Sequence, residues 1–374
     1  MHVVQALASL DIGGSELVAV ETAEYLCGKG HRVTLVARGG PLAERATAAG
    51  AALLDWPIGR KRPGTLRHVR RLRAWLAEAR PDIVHAHSRM PAWVCYLALR
   101  KLPGPLRPVF ITSVHGQYSV SPYSAIMARG DQVIAVSKHI RDHTRKHYLK
   151  RGGARLHLIH GGVDRCRFPF GYRPPAPWWK KTLADYPELA DKRLLLLPGR
   201  LSRYKGHAVF IRLLAALAKE FDDVHGVILG QARARSRYAR ELEQLAARYA
   251  VEKRLLFVGP RTDVRDWMAA SSLVFNLCSD PPEAFGRTVP EALALGIPAV
   301  AWNHGGVKET LAAMFPAGAV EPGDEAGLLH KASAFLRQPP TVPESAAFSL
   351  QSSMRKTLAL YATSLGERSP HAAQ

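Results

Sequence analysis

The stretch SDPPEAFGRTVPEALALGIPAVAW, residues 279–302, carries two carboxylates eight positions apart, Glu283 and Glu291, with Phe285 and Gly286 between them. An apolar run at 273–277 predicts a strand ahead of it, and the apolar spacing over 287–295 predicts a helix behind it. Glu283, Phe285 and Gly286 then fall on the connecting loop, and Glu291 in the first turns of the helix. The amide of Gly286, with no side chain beside it, and the helix amino terminus near Arg287 suit an anion. The two carboxylates suit sugar hydroxyls, which donate hydrogen bonds to them. A nucleotide sugar, a diphosphate between two hydroxyl-rich rings, asks for both kinds of group at once. Acids placed at a helix start for its dipole alone would account for Glu283 or Glu291 singly, but not for the turn EAFG.

A second constellation lies in LPGRLSRYKGH, residues 197–207, where Arg200 and Lys205 follow an apolar run at 193–197 that reads as a buried strand. An unpaired couple of cations at the carboxyl end of such a strand calls for an anion. A diphosphate satisfies both, the guanidinium binding it in a forked manner. A solvated basic turn, helped by Arg203, is the plainer alternative. Near the amino terminus Gly13 and Gly14 stand between the first strand and the first helix, where backbone amides can approach a phosphate or an acceptor. This is not the GxGxxG dinucleotide fingerprint, which argues against a nicotinamide enzyme. The segment TSVHGQYS, residues 112–119, ends a strand in a His-Gly turn at His115. In VIAVSKHI, Ser137 and Lys138 open a helix, either as a plain helix cap or in contact with donor or acceptor.

The elements that must position these groups alternate along the chain. Strands are predicted at 2–6, 32–37, 51–54, 83–86, 109–114, 132–136 and 156–159, with helical stretches between most of them, beginning with 15–29. Residues 166–190, rich in proline and aromatics, break the pattern and read as a domain boundary. It restarts with strands at 193–197, 224–229, 255–258, 273–277 and 298–301, and helices at 206–220, 235–249, 264–270 and 287–295. The fold class is therefore α/β: an amino-terminal domain over 1–170 and a carboxyl-terminal one over 185–345, both doubly wound, with the expected site in the cleft between them. A last helix over about 346–365 is expected to pack back on the first domain, and 366–374 to be a frayed tail.

The 374 residues carry a net charge of +21, with 52 Lys and Arg against 31 Asp and Glu. Residues 1–170 hold 26 Lys and Arg against 11 Asp and Glu, so most of the excess lies in the first half. Two basic stretches contribute, 59–80 and 141–155. In the first, Leu66, Val69, Leu72, Leu76 and Ala79 fall on one helical face and Arg67, Arg70 and Arg71 on the other. Either these are solvated faces, or they meet an anionic membrane or a phosphorylated glycolipid. No aromatic platform or binding module for nucleic acid interleaves with them. No apolar run is long enough to span a bilayer, and residues 1–14 lack the pattern of a signal peptide, so a cytoplasmic location is expected. The four cysteines stand far apart and the 16 histidines lack metal spacing, so reduced core thiols and no bound metal are expected.

Taken together, E-x7-E with an internal Phe-Gly, GR-x4-KG at Arg200 and Lys205, DIGGSE at 11–16, HGGVD at 160–164 and AWNHGGVKET at 301–310 resemble the retaining glycosyltransferases of family 4, of GT-B fold. The likeness covers nearly the whole chain. It implies donor contacts at Gly13, Gly14, Arg200, Lys205, Glu283, Phe285, Gly286, Arg287, Thr288 and Glu291, with Glu283 on the transferred sugar and Glu291 on the ribose. It implies that His115 also meets the transferred sugar, against the alternative of a histidine capping a strand end, and that Glu16, Ser137 and Lys138 are candidates for acceptor or donor contact. It further implies retention of anomeric configuration, assisted by the departing phosphate. Charge developing on that phosphate would be met by Arg200, Lys205 and the helix start at Arg287, so no metal and no cofactor is required.

HSRMPAW, residues 87–93, and YSAIMARGDQVIAVS, residues 123–137, resemble bacterial members that build lipopolysaccharide core. The expected partners are a nucleotide-sugar donor, an anionic glycolipid acceptor and the inner face of the cytoplasmic membrane, to which the chain would be peripheral. No nucleic acid is expected. The rival readings are a sugar-nucleotide 2-epimerase of the same fold and a non-catalytic protein binding anionic glycan or nucleic acid.

Overall fold

The computed structural model describes residues 1–149, 155–230 and 237–367. It divides into two compact units, one formed by Met1–Gly161 together with the chain from Gln351 on, the other by Gly162–Leu350.

The first unit runs β1 (His2–Ser9), α1 (Gly14–Gly28), β2 (Arg32–Arg38), α2 (Ala43–Ala48), β3 (Ala52–Asp55), α3 (Arg67–Ala79), β4 (Ile83–Ala86), α4 (Arg89–Leu99), β5 (Val109–Val114), β6 (Gln132–Ala135), α5 (Lys138–Tyr148) and β7 (Arg155–Leu158). The seven strands form one sheet in the order β3-β2-β1-β4-β5-β6-β7, every pairing parallel. Strands covered on both faces read as unbroken apolar runs rather than alternating ones, and β5, VFITSV, is buried at all six positions. In α3 Val69, Leu72 and Leu76 are buried while Arg67, Arg70 and Arg71 are exposed. Leu66, expected on the packed face, is 60% exposed. Pro63 and Gly64 turn residues Pro63–Leu66 into a 3-10 turn ahead of the helix, so the helical period does not extend back to Leu66. Residues 150–154 of the second basic stretch lie outside the described residues.

The second unit runs α6 (Ala176–Asp185), β8 (Arg193–Pro198), α7 (His207–Leu217), β9 (Val224–Leu229), α8 (Arg237–Arg248), β10 (Leu255–Gly259), α9 (Val264–Ala269), β11 (Ser271–Asn276), α10 (Thr288–Ala294), β12 (Ala299–Trp302), α11 (Gly305–Met314), β13 (Ala319–Val320) and α12 (Glu325–Arg337). Its sheet is also parallel, ordered β10-β9-β8-β11-β12-β13. Along β8, Leu195 and Leu197 enter the core on one face and Leu194 and Leu196 the core on the other, the two-residue period of a strand. The proline-rich stretch read as a boundary holds α6. Proline is tolerated in a helix's first turn, where its missing N–H is not needed, and Pro175 and Pro177 stand there. Trp178 then packs edge-on against Trp267, ring centres 5.3 Å apart, and donates from Nε1 to Asp263 Oδ2 at 2.7 Å.

The last helix, α13 (Leu350–Gly366), belongs beyond its first residue to the first unit. Its Met354, Thr357, Leu360 and Tyr361 are buried. Residues 348 and 349 are not helical: the Val163 amide donates to the Phe348 carbonyl at 2.8 Å, and Ser349 bridges Val163. The tail from residue 368 on lies outside the described residues.

In each sheet the strand order reverses beside its first strand, between β1 and β4 in one unit and between β8 and β11 in the other. Ligands of doubly wound sheets bind outside the carboxyl ends of the strands at such a reversal.

Candidate functional site

In the second unit the loops leaving β8 and β11 carry the two donor-side motifs, and the strand order makes them neighbours. Lys205, from the first loop, forms an ion pair through Nζ with Glu283 Oε1, from the second, each side chain 20% exposed. Lys205 is therefore not the unpaired cation expected from the sequence. Burial disfavours its charge, but the Glu283 carboxylate more than offsets this and raises its pKa. Cys278, on the same loop as Glu283, has its thiol pKa pushed up to about 12, by burial first and by Glu283 second. Arg200 is exposed and has no ion-pair partner among the described residues.

Glu291 is 7% exposed, and its carboxylate accepts from Arg287 Nε at 3.0 Å one turn away. Thr288 Oγ1 accepts from Asn276 Nδ2 at 3.1 Å, tying the start of α10 to the end of β11. The helix spans seven residues, Thr288–Ala294, rather than nine, so it offers little dipole of its own. Gly286 has φ +75°, and a Cβ there would lie 2.4 Å from Val307 Cγ2. Glycine is required here by the backbone conformation and by the packing of α11. Phe285 is buried with its ring 5.6 Å from that of Phe348; it supports the loop from behind.

Residues without an assigned role hold this loop in place. His304 Nε2 bonds the Cys278 carbonyl at 2.7 Å, and the Gly306 amide donates to the Glu283 carbonyl at 2.9 Å. A Cβ on Gly306 would lie 2.1 Å from the Ala284 carbonyl oxygen. The NHGG string, noted only as part of a resemblance, is the clamp on the Glu283 turn. Its adjacent glycines at a strand-to-helix junction were the signal available in the sequence.

In the first unit Gly13 caps α1 in extended conformation and Gly14 begins the helix. The Glu16 carboxylate folds back beside Gly13, with Oε2 2.4 Å from where a Cβ on Gly13 would stand, and accepts from Ser15 Oγ at 2.8 Å. The protein's own acid lies against the glycine turn. Ser137 is fully buried and accepts from the Ile140 amide at 3.1 Å, which makes it the helix cap of α5; Lys138 begins that helix, exposed. His115 follows β5, half-buried, with Nε2 3.0 Å from Nδ1 of the fully buried His87. His87, His85 and Tyr361 continue from it into the core. Burial pushes the pKa of His85 down to about 3 and that of His87 well below the usual histidine range, so both rings are neutral. The sequence assigns neither histidine a role, because the link between them runs through Gln5 and Tyr361, and Tyr361 lies 276 residues from His85.

Two family models match in series, Glycosyltransferase Family 4 over residues 12–167 and Glycosyl transferases group 1 over residues 180–349. A D-inositol 3-phosphate glycosyltransferase of Xylanimonas cellulosilytica is 29% identical over 336 residues, 80% of this chain and 77% of that protein. Among solved structures, a glycosyltransferase from Rickettsia africae superposes with TM-score 0.82 at 24% identity, over 98% of this chain and 99% of that one. HepE of Anabaena, in complex with UDP and glucose, gives 0.77 at 20% identity over 97% and 100%. These structures share the fold, two parallel-sheet units of GT-B type. The chain is an enzyme that belongs to the glycosyltransferases of family 4.

Proposed function

We propose that the chain moves a hexose from a nucleotide-diphosphate sugar to a phosphorylated glycolipid or glycan with net retention, of the class found in lipopolysaccharide core. The observation that carries the donor half is the pairing of Lys205 with Glu283 on adjacent loops at the reversal of the second sheet. A half-buried cation held by a carboxylate can exchange that partner for a diphosphate, which frees the carboxylate for a sugar hydroxyl. In the reaction the bond from the anomeric carbon to the diphosphate oxygen breaks. The acceptor oxygen bonds to the same carbon, and its proton passes to the departing phosphate. Arg200 and Lys205 meet the charge that develops there, and we assign no metal to the step. Glu283 and His115 are assigned to hydroxyls of the transferred sugar, and Glu291 to the ribose.

The acceptor half rests on charge. Arg67, Arg70 and Arg71 line the exposed face of α3, beside the exposed Leu66. Cations near an anionic surface contribute about 1 kcal/mol each, and we assign this face to the inner leaflet of the cytoplasmic membrane. No helix among the described residues is long and apolar enough to cross a membrane. HepE, of the same fold, binds UDP and glucose, and the relative named for inositol phosphate takes, by that name, an anionic acceptor. Inositol phosphate is accordingly the second acceptor to test.

The experiment is a panel of nucleotide sugars offered alone, with inositol phosphate and with phosphorylated lipopolysaccharide core, with and without chelator. The expected result is a glycosylated phosphate-bearing product and no effect of chelation. Epimerised donor without acceptor, or no use of any donor at millimolar concentration, would overturn the reading.

A further inference from the structure

His207 opens α7, two residues after Lys205. It is fully buried, where polar side chains ordinarily find partners. Among the described residues neither Nδ1 nor Nε2 makes a hydrogen bond. The ring of Tyr238, from α8, meets it edge-on with ring centres 6.0 Å apart. Arg203, paired with Glu241, stacks on Tyr238 in turn, 5.1 Å from the ring centre. Burial pushes the pKa of His207 down to about 4, against a smaller pull upward from the backbone of Gly199 and Ser202. The ring is therefore neutral and carries one N–H. A carbonyl favours the protonated ring only from close by, so both carbonyls stand near the imidazole without closing a bond to it.

Gly199 and Ser202 flank Arg200 in the loop after β8. The Ser202 carbonyl already accepts from the Lys205 amide at 3.0 Å, whereas the Gly199 carbonyl accepts from no described residue. The Gly199 amide is fixed by the Leu229 carbonyl at 2.7 Å, which leaves the next peptide, the Gly199 carbonyl with the Arg200 amide, to turn about the Gly199 Cα–C bond. That peptide is planar and trans, so its C=O and N–H point opposite ways. A carbonyl aimed inward at His207 aims the Arg200 amide outward. Lys205 supplies the drive. Its stem lies along Gly199, where a Cβ would stand 3.5 Å from Lys205 Cδ and 3.8 Å from Cγ. A Lys205 that swings from Glu283 to a diphosphate moves that stem across Gly199.

We propose that His207 is a positioning residue for diphosphate binding: as Lys205 leaves Glu283 for the diphosphate, the Gly199 carbonyl turns onto the imidazole N–H and the Arg200 amide turns outward to a phosphate oxygen. This rests on the reading of Lys205 given above. The empty chain keeps a buried N–H that has lost its bonds to water and gained none, and the occupied chain satisfies it. A group satisfied in one state and not in the other adds that difference to the affinity of the ligand that selects the first. His207 thereby favours the occupied loop with no contact to the donor.

The test is calorimetric titration of UDP, GDP and ADP into the full chain and into His207→Leu, beside urea titration of both proteins without nucleotide. Leucine fills much of the space and has no polar atom to satisfy. It should weaken binding of the preferred nucleotide about tenfold, about 1.4 kcal/mol, while the urea midpoint of the empty protein holds or rises. A merely structural histidine would lower both together. His207→Asn and His207→Gln place an amide N–H near the positions of Nδ1 and Nε2, and at least one of them should bind within about threefold of the unaltered chain. In ¹⁵N NMR, with His207 assigned by its loss in whichever variant folds, the ring N–H should gain a hydrogen bond when nucleotide binds the unaltered chain. Unchanged affinity in His207→Leu, a fall in both affinity and urea midpoint, or a ring signal unmoved by bound nucleotide would overturn the proposal and leave the reading of Lys205 standing. Equal binding by Lys205→Met, or no binding of any of the three by the unaltered chain, would overturn both.

Discussion

The two units share a plan and differ in what they bury at the same place in it. Where the first sheet reverses, beside β1 and β4, the buried polar groups are neutral: two histidines, an amide and a phenol, each satisfied by the next. Where the second reverses, beside β8 and β11, the buried and half-buried polar groups are charged and paired, Lys205 with Glu283 and Arg287 with Glu291. Burial opposes charge in both, and pushes the histidines of the first unit down while Lys205 stays charged because a carboxylate faces it. A unit that must meet a diphosphate needs charge in reserve. One that must orient hydroxyls needs hydrogen bonds of fixed direction and no charge to attract competitors.

The largest break in that contrast is Lys205→Met. It should cost about a thousandfold in kcat/KM with a nucleotide sugar, the upper range for one preorganised donor, measured in steady-state assays on protein shown to be folded. A variant with near-normal turnover would mean that the buried charge serves packing only.

Glu291→Gln comes next. It removes the carboxylate that pairs with the largely buried Arg287 and should lower stability by about 3 kcal/mol in urea titration. A loss of nucleotide affinity beyond what folding accounts for would support the ribose contact. A change below about 0.5 kcal/mol would show that Arg287 has other support.

Acid should destabilise both units in the same sense, over a wider pH range in the first. His85 has an ordinary pKa of 6.5 when unfolded and about 3 when folded. Below pH 6.5 the unfolded chain therefore binds a proton that the folded chain refuses, and stability falls as pH drops, by up to about 1.4 kcal/mol per pH unit for each such histidine. His207 of the second unit, pushed down to about 4 mainly by burial, acts in the same sense over a shorter range. Urea midpoints between pH 7 and 5 should fall in the unaltered chain and fall less steeply in His87→Gln. Identical slopes would contradict the neutral-core account. Smallest is the surface effect: Arg70→Glu on α3 should weaken binding to vesicles containing phosphatidylglycerol by at least about 1 kcal/mol, the worth of one cation, while turnover of a soluble acceptor is unchanged. Equal vesicle binding would remove the membrane assignment.

Much of this was legible in the sequence where one short window contains the cause. The strands at 83–86, 109–114 and 224–229 have the predicted boundaries, because a strand buried on both faces is mostly apolar along its length. The positions of Lys205 and Glu283 after their strands were legible too. Their pairing was not, since it depends on β8 lying beside β11, and strand order is not written in either window. The same limit hides the role of His85 and His87, whose link runs through Gln5 on the first strand and Tyr361 on the last helix. Leu66 was misplaced by carrying a helical period through a Pro-Gly turn. Helix α6 was missed because prolines were read as breakers when they stand at its first turn. That Gly286 also makes room for Val307, on the following helix, is not written in its own window.

The central claim is that the loops after β8 and β11 hold a nucleotide diphosphate through Lys205. Calorimetric titration of UDP, GDP and ADP into the intact chain and into Lys205→Met tests it without knowledge of sugar or acceptor. At least one of the three should bind the unaltered protein at submillimolar concentration, and the variant should bind it at least about tenfold more weakly, one charged hydrogen bond's worth. Equal affinity for both proteins, or no binding of any of the three at millimolar concentration, would contradict it.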